Sequence, residues 1–371
     1  MELSHRTITS IGSYREMEVG DLQPDLLLGL YTRMMRLRRT EEALIAEYHP
    51  ADEMRCPIHF CVGQEAVPAA LSLLLDPDDY LFSHHRSHGY YFAKGAPLRE
   101  LFAEIYGKSA GANGGHAGSQ DISHASSRFF SGAILAGAVS IAAGAAFALQ
   151  LRRSSSIAVS GFGEGATDEG AFWEVAGYAG FKKLPLLLVC ENNRYATYSD
   201  QLKRQASDNI CARVRPFGVA ADQVFGNDVL RVYRALRTAM NRVRAGDGPA
   251  LVEAYTYRWN SHVGPEDDSA NNYRTAAEMA FWKTNCPISL LQETLLKEGV
   301  LSEAARTRIE TEVAAEIADN FAFAKAAPFP ARPDWETANT EASSPLADRL
   351  LGAAEDTDFD HFQADARLGP Y

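Results

Sequence analysis

The sequence predicts an α/β fold in which a parallel β-sheet is covered by helices. Three observations predict it. Residues 155–162 (SSIAVSGF) and 184–191 (LPLLLVCE) are nearly continuous apolar runs of strand length, the pattern of strands buried on both faces. Between them, residues 169–183 (EGAFWEVAGYAGFKK) are amphipathic at helical spacing, and a strand–helix–strand unit of this length pairs its strands in parallel. Finally, 371 residues with 46% hydrophobic content can bury a large single core.

The other elements follow in chain order. Residues 1–24 read as an N-terminal arm. Residues 25–48 carry apolar side chains at helical spacing with charges on the other face, which predicts one long amphipathic helix. GQEAVPAALSLLL (63–75) reads as a second helix, and YLFS (80–83) as a short strand running into the polar segment HHRSHGYY. Residues 107–126 are rich in Gly, Ala and Ser and predict a long loop, and a loop of that length in a compact domain usually has a task. A small-residue apolar helix is expected over 133–151, a late strand in ALVEAYTYRW (250–259), and helices across 271–325. From 328 to 371 the chain turns polar and acidic. The domain plan is therefore an arm at 1–24, one α/β domain at 25–327 and an extension at 328–371.

Composition excludes several classes. With 36 Lys+Arg against 48 Asp+Glu the net charge is −12, and broad binding to a phosphate backbone needs a basic face instead. No apolar run reaches the length of a membrane span. The start, MELSHRTITSIGSYREMEVGD, has no apolar core region of a signal peptide. Five scattered cysteines with no CxxC support neither structural zinc nor a disulfide framework, so a reducing cytoplasm is expected.

The chemistry concentrates at the strand-to-helix turn Gly161-Phe162-Gly163-Glu164-Gly165-Ala166. Two readings compete. The turn satisfies G-x-G-x-x-A, with Glu191 at the end of the next strand where a Rossmann domain places its ribose-binding acid, which suggests an NAD-dependent oxidoreductase. Alternatively, a right-handed βαβ unit brings both strand ends to one sheet edge. Glu164 after the first strand then meets Asn192, Asn193 and Tyr195 after the second. Hard oxygen ligands suit Mg²⁺ or Ca²⁺, and an adjoining helix N-terminus favours an anion, so this geometry suggests a metal–diphosphate site.

The stretch GEGATDEGAFWEVAGYAGFKKLPLLLVCENNRY resembles the thiamine diphosphate motif that runs from Gly-Asp-Gly to Asn-Asn. With LYTRMMRLRRTEE, IHFCVGQEA, HHRSHGYYFAKG, LFAEIYGKSAG and YRWNSH in order, residues 25–330 resemble the α subunit of the E1 component of 2-oxo acid and acetoin dehydrogenase complexes. The resemblance implies the thiamine diphosphate-binding fold, with thiamine diphosphate and Mg²⁺ as cofactors. It places Glu164, the Asn193 side chain and the Tyr195 carbonyl on the metal. It places Gly165, Ala166, Arg86 and His262 about the diphosphate and Ala133 and Leu135 against the aminopyrimidine, and it counts Gly163 and His85 among the cofactor-binding residues. His59 and His262 match the family's active-site histidines. His84 and His88 stay open, and the resemblance gives Glu65 no cofactor-activating role.

Departures from the family pattern are visible. Glu164 stands for Asp, His85 for Tyr, Asn260-Ser261-His262 for His-Gly-His, Ser119-Gln120-Asp121 for Ser-Met-His, and Val263 for the regulatory serine. The implied activity is decarboxylation of a 2-oxo acid, or cleavage of an acyloin-like ketone, passing the enamine or acyl group to an acceptor. The implied partners are an E1 β-type subunit in an α2β2 heterotetramer and a lipoyl acyltransferase or other acceptor, with no nucleic acid and no membrane. The alternatives are a catalytically divergent α-like scaffold, or the oxidoreductase using GFGEGA and Glu191.

Overall fold

The computed structural model describes residues 17–268, 271–332 and 345–355. The chain divides into two compact units, residues 1–329 and 330–371. In the second, Pro345–Glu355 form a helix, and the rest of the extension beyond residue 332 lies outside the described residues.

The first unit is built on a seven-stranded sheet. In chain order the elements are α1 (Pro24–Ala51), α2 (Ala66–Leu71), β1 (Tyr80–Ser83), α3 (His88–Ala93), α4 (Leu98–Ile105), β2 (Ser123–His124), β3 (Phe129–Ser131), α5 (Gly137–Leu151), β4 (Ala158–Gly163), α6 (Gly170–Lys182) and β5 (Leu186–Asn192). There follow a two-residue hairpin of β6 (Tyr195–Ala196) and β7 (Ser199–Asp200), then α7 (Gln201–Arg204), α8 (Ile210–Val214), β8 (Ala220–Phe225), α9 (Val229–Arg244), β9 (Ala250–Tyr255), α10 (Ala276–Thr284), α11 (Pro287–Lys297) and α12 (Glu303–Ala326). The sheet order is β2-β3-β1-β4-β5-β9-β8. Every pairing in it is parallel except β2 with β3. The predicted parallel sheet covered by helices is present.

Strand alternation sends successive side chains to opposite faces. On β4 and β5, Val159, Leu187 and Val189 join one buried cluster with α1 and α9. Ala158, Phe162, Leu186, Leu188 and Cys190 join the other with α5 and α6. Both faces are covered, which explains the unbroken apolar runs in the sequence.

Three details refine the sequence reading. The helix expected from 133 begins at Gly137, because Ala136 takes φ +56 and the four residues before the helix turn sharply. The helix expected over 63–75 is a single short one, α2, followed by turns. The helical stretch 271–325 is three helices, broken at Asn285 and at 298–302. The described end of the N-terminal arm packs onto the domain. Met17 and Leu22 are buried in its core, and Arg234 donates to the carbonyls of Glu18 and Val19 at 2.8 and 2.7 Å.

The loop at 107–126 is held by one buried carboxylate. Glu104, at the end of α4, accepts hydrogen bonds from the backbone N–H groups of Asn113, Gly115, Ala117 and Gly118 at 2.7–3.1 Å. Charge-assisted bonds of this kind are the strong ones. Glu104→Ala leaves four N–H groups without their acceptor, and the expected loss of stability is at least about 3 kcal/mol. Denaturant unfolding checks this, and an unchanged midpoint contradicts it.

Candidate active site

The C-terminal ends of β1, β4, β5 and β9 share one edge of the sheet, where open α/β sheets bind ligands. Each strand end delivers part of a cavity of about 290 Å³. From β1 come His84, His85 and Arg86. From β4 come Gly163, Glu164, Gly165 and Ala166, and from the turn after β5 come Asn193 and Tyr195. His262, beyond β9, and His59, ahead of α2, complete one wall, and Ala133 and Leu135, ahead of α5, lie at the mouth.

The glycines of the turn have separable reasons. A Cβ on Gly161 would collide with the ring of Tyr90, so close packing of α3 on β4 requires it. A Cβ on Gly163 meets no protein atom within 4 Å, so here the bare backbone is presented to the cavity. Next, Glu164–Asp168 form a 3₁₀ turn leading into α6. Glu164 is 1% exposed yet lines the cavity. Burial pushes its carboxyl up to about 7, against the pull of Arg204. Arg204 Nη2 donates to Glu164 Oε1 at 2.6 Å, and its Nη1 pairs with Asp168.

The Asn-Asn doublet divides between two tasks. Asn192 lies on β5 and donates to Glu253 at 2.8 Å and to Gln201 at 3.0 Å in a buried polar network. Asn193 faces the cavity, and its Oδ1 accepts from the Tyr195 N–H at 3.2 Å. Glu164, Asn193 and Tyr195 thus bring a carboxylate, an amide oxygen and a main-chain segment to one cavity, a donor set that fits a hard cation.

The facing wall is rich in imidazole. Ring centroids are 4.5 Å apart for His59–His85, 4.8 Å for His59–His262 and 5.2 Å for His85–His262. The Arg86 guanidinium donates to the carbonyls of Phe60 and His262, so it is buried in the same wall. Burial first, and then the charge of Arg86, push His59 down to about 2 and His262 down to about 3. His85 is lowered well below the ordinary range by burial and by its neighbours His84 and His59. All three rings are neutral at pH 7 in this state. An anion placed among them reverses the sign of the local field and raises them.

Helix α1 positions this wall. Glu41 accepts from the Cys61 N–H at 2.8 Å and lies 2.6 Å from His88 Nδ1, while His88 Nε2 meets Ser119 Oγ at 2.8 Å. Arg38 grips Glu65 through two hydrogen bonds of 2.6 and 2.9 Å. The loop carrying His59 is thereby fixed on its C-terminal side. His88 belongs to this support, whereas His84 lines the cavity, 3.9 Å from buried Glu191.

Residues 32–332 match the family described as dehydrogenase E1 component. The chain belongs to the dehydrogenase E1 component family. Among its relatives, this E1 chain is 32% identical over 312 residues to the pyruvate dehydrogenase E1 component subunit alpha of Porphyra purpurea, covering 82% of this chain and 90% of that one. It is 33% identical over 308 residues to the subunit of that name in Zymomonas mobilis, covering 82% and 86%. It is 32% identical over 301 residues to the human mitochondrial somatic form, covering 81% and 76%. The resemblance drawn from the sequence is borne out at the level of the family.

The E1 chain brings to one cavity His59, His85, Arg86, Ala133, Leu135, Gly163, Glu164, Gly165, Ala166, Asn193, Tyr195 and His262, whereas Asn192, Glu191, His88 and Glu65, also singled out from the sequence, lie outside its lining. Sequence reasoning missed Arg204 and Gln205. Gln205 donates to Thr167 Oγ1 at 2.8 Å and Asp168 Oδ1 at 2.6 Å. Their only signal was the capping aspartate, Asp200, at the start of a four-residue helix. Among the described residues, no helix is long and apolar enough to cross a membrane, and the five cysteines are unpaired.

Proposed function

We propose that the chain is the α-type subunit of a thiamine diphosphate-dependent E1 enzyme acting on a 2-oxo acid or an acyloin-like ketone. The observation that carries this reading is the convergence in one cavity of the oxygen set of Glu164, Asn193 and Tyr195, the bare backbone at Gly163, and a cationic and imidazole wall. When bound, the cofactor supplies an electron sink for cleaving the bond next to a carbonyl.

The chain's own residues do the rest. The Glu164 carboxylate, the Asn193 amide oxygen and the Tyr195 carbonyl hold Mg²⁺. The N–H groups of Gly165 and Ala166, with Arg86, His85 and His262, receive the diphosphate beside Gly163. Ala133 and Leu135 border the aminopyrimidine, and His59 and His262 move protons at their ring nitrogens. Residues 25–327 form the catalytic domain, with 1–24 and 328–371 as its arm and extension, in a cytoplasmic protein.

A second subunit completes the site. Glu65 is bound to Arg38 and to the Gly63 N–H, so it cannot serve as the carboxylate that activates the cofactor. The cavity lining includes apolar residues that face solvent. Ile134 is 76% exposed and Leu135 44%. Apolar patches of this kind mark interfaces, which supports an E1 β-type partner in an α2β2 heterotetramer. A lipoyl acyltransferase or another acceptor takes the product group.

Calorimetry of the α–β complex with thiamine diphosphate tests the reading. Binding is expected with Mg²⁺ and is lost in EDTA, and the chain without its partner is expected to show no turnover. Binding indifferent to chelator, or robust turnover by the chain alone, overturns it. One observation favours the divergent-scaffold reading instead, namely that Arg204 already neutralises Glu164. That reading predicts a stable α–β complex that takes no cofactor under any metal condition.

A further inference from the structure

The Arg204 guanidinium is held at all three of its nitrogens. Nε donates to the Ser199 carbonyl at 3.2 Å, Nη2 donates to Glu164 Oε1 at 2.6 Å, and Nη1 pairs with Asp168. It therefore spans the two carboxylates that begin and end the 3₁₀ turn Glu164–Asp168. The next residue, Gln205, grips the same turn at Thr167 and Asp168, and Thr167 Oγ1 donates to the Glu164 carbonyl at 2.7 Å. Arg204 ends α7, which follows directly on the β6–β7 hairpin. That helix is tied back to the hairpin: the Gln201 N–H donates to the Arg194 carbonyl at 2.8 Å, and Asp200 caps the helix at the Leu202 N–H at 2.9 Å. One stretch, residues 193–205, thus carries Asn193 and Tyr195 and also holds Glu164.

Neutralising a buried carboxylate needs only a cation nearby. A planar fork anchored at every nitrogen does more, because it fixes direction as well as charge, and short charge-assisted bonds are the strong ones. With Oε1 engaged by Nη2, the Glu164 carboxylate cannot turn to give both oxygens to one cation. It presents a single oxygen instead. Glu164 stands where the family pattern has Asp, so it has one more torsion to control, and Arg204 removes that freedom. The number of oxygens matters to the ion. Mg²⁺ demands a near-ideal octahedron of ligands at about 2.0–2.1 Å, whereas Ca²⁺ accepts six to eight oxygens at about 2.3–2.6 Å and takes carboxylates through one oxygen or both.

We propose that Arg204 is a positioning residue that restricts Glu164 to single-oxygen coordination and so makes the oxygen set of the cavity selective for Mg²⁺ over Ca²⁺. Asp168 is the anchor of the guanidinium and not a metal ligand. The proposal rests on the reading of Glu164 as a ligand given above and adds to it the residue that decides which ion it takes.

The test measures the affinity of the α–β complex for thiamine diphosphate by calorimetry, at equal concentrations of Mg²⁺ or Ca²⁺, and compares the ratio of the two. Arg204→Gln is expected to lower the preference for Mg²⁺ at least about tenfold, the usual effect of removing a partner behind a metal ligand. Arg204→Lys keeps the charge but has one ammonium that cannot span both carboxylates, and is expected to lower the preference as well. Lys203→Gln removes the same charge from an exposed neighbouring position of α7 and is expected to leave it unchanged. Circular dichroism checks the folding of each variant, and if Arg204→Gln is unfolded, Asp168→Asn takes its place with the same expectation. An unchanged preference in Arg204→Gln, the wild-type preference in Arg204→Lys, or an equal shift in Lys203→Gln overturns the proposal and leaves the cofactor reading standing. Absence of cofactor binding to the wild type with either ion removes both.

Discussion

Glu164→Ala is expected to lower the Mg²⁺-dependent affinity of the α–β complex for thiamine diphosphate by at least about 100-fold. The carboxylate is the one charged ligand on the oxygen side of the cavity, so its loss leaves the amide of Asn193 and a main-chain carbonyl, too weak a set to dehydrate Mg²⁺. The same group gives the wild type a pH dependence. Burial, helped by Asp168 and opposed by Arg204, holds the Glu164 carboxyl at about 7. Mg²⁺ requires the ionised form, so below about pH 7 each ion bound must expel a proton. Affinity is then expected to fall about tenfold per pH unit below 7 and to level off above it. Calorimetry from pH 5.5 to 8.5 reads both results. Wild-type affinity in the variant, or a flat profile in the wild type, rejects the role given to Glu164.

His59→Ala is expected to reduce kcat/KM of the reconstituted complex by about 10²–10⁴-fold, the usual contribution of a positioned proton-transfer group. Cofactor affinity should change far less. His59 is held near 2 by burial and by Arg86, and an imidazole so depressed gives up any proton at once. A diphosphate among the histidines raises it, so the complex is predicted to take up protons as the cofactor binds, more at pH 6 than at pH 8. Calorimetry in buffers of different ionisation heat measures that uptake. An unchanged kcat/KM in the variant rules out a proton-transfer role for this residue.

The sheet was legible because β4 and β5 are buried on both faces and therefore read as apolar runs. The oxygen set was legible because its members fall at strand ends within one βαβ unit. The division of labour inside Asn192–Asn193 was not, since it depends on which way the chain turns as β5 ends. Arg204 was invisible for a different reason. It reaches Glu164 from a helix of four residues that local propensity does not announce. The loop at 107–126 could be read as a loop but not as an ordered one, because its order comes from Glu104, a residue whose partners are backbone amides that any sequence carries. The start of α5 shifted for a backbone reason, the positive φ of Ala136, which composition does not disclose.

The sheet order has a consequence for how the protein is made. Strand β5 (LLLVCEN) is flanked by β4 and β9, and β9 leaves the ribosome nearly sixty residues after β5. During synthesis at about 5–20 residues per second, one edge of a strand whose first five residues are apolar stays unpaired for several seconds, the situation that invites edge-to-edge association. Until β9 slots into place the nascent chain is both incapable of holding a ligand and at its most adhesive. Chaperone dependence during expression should therefore respond to substitutions in β9 more than to any change in the cavity itself.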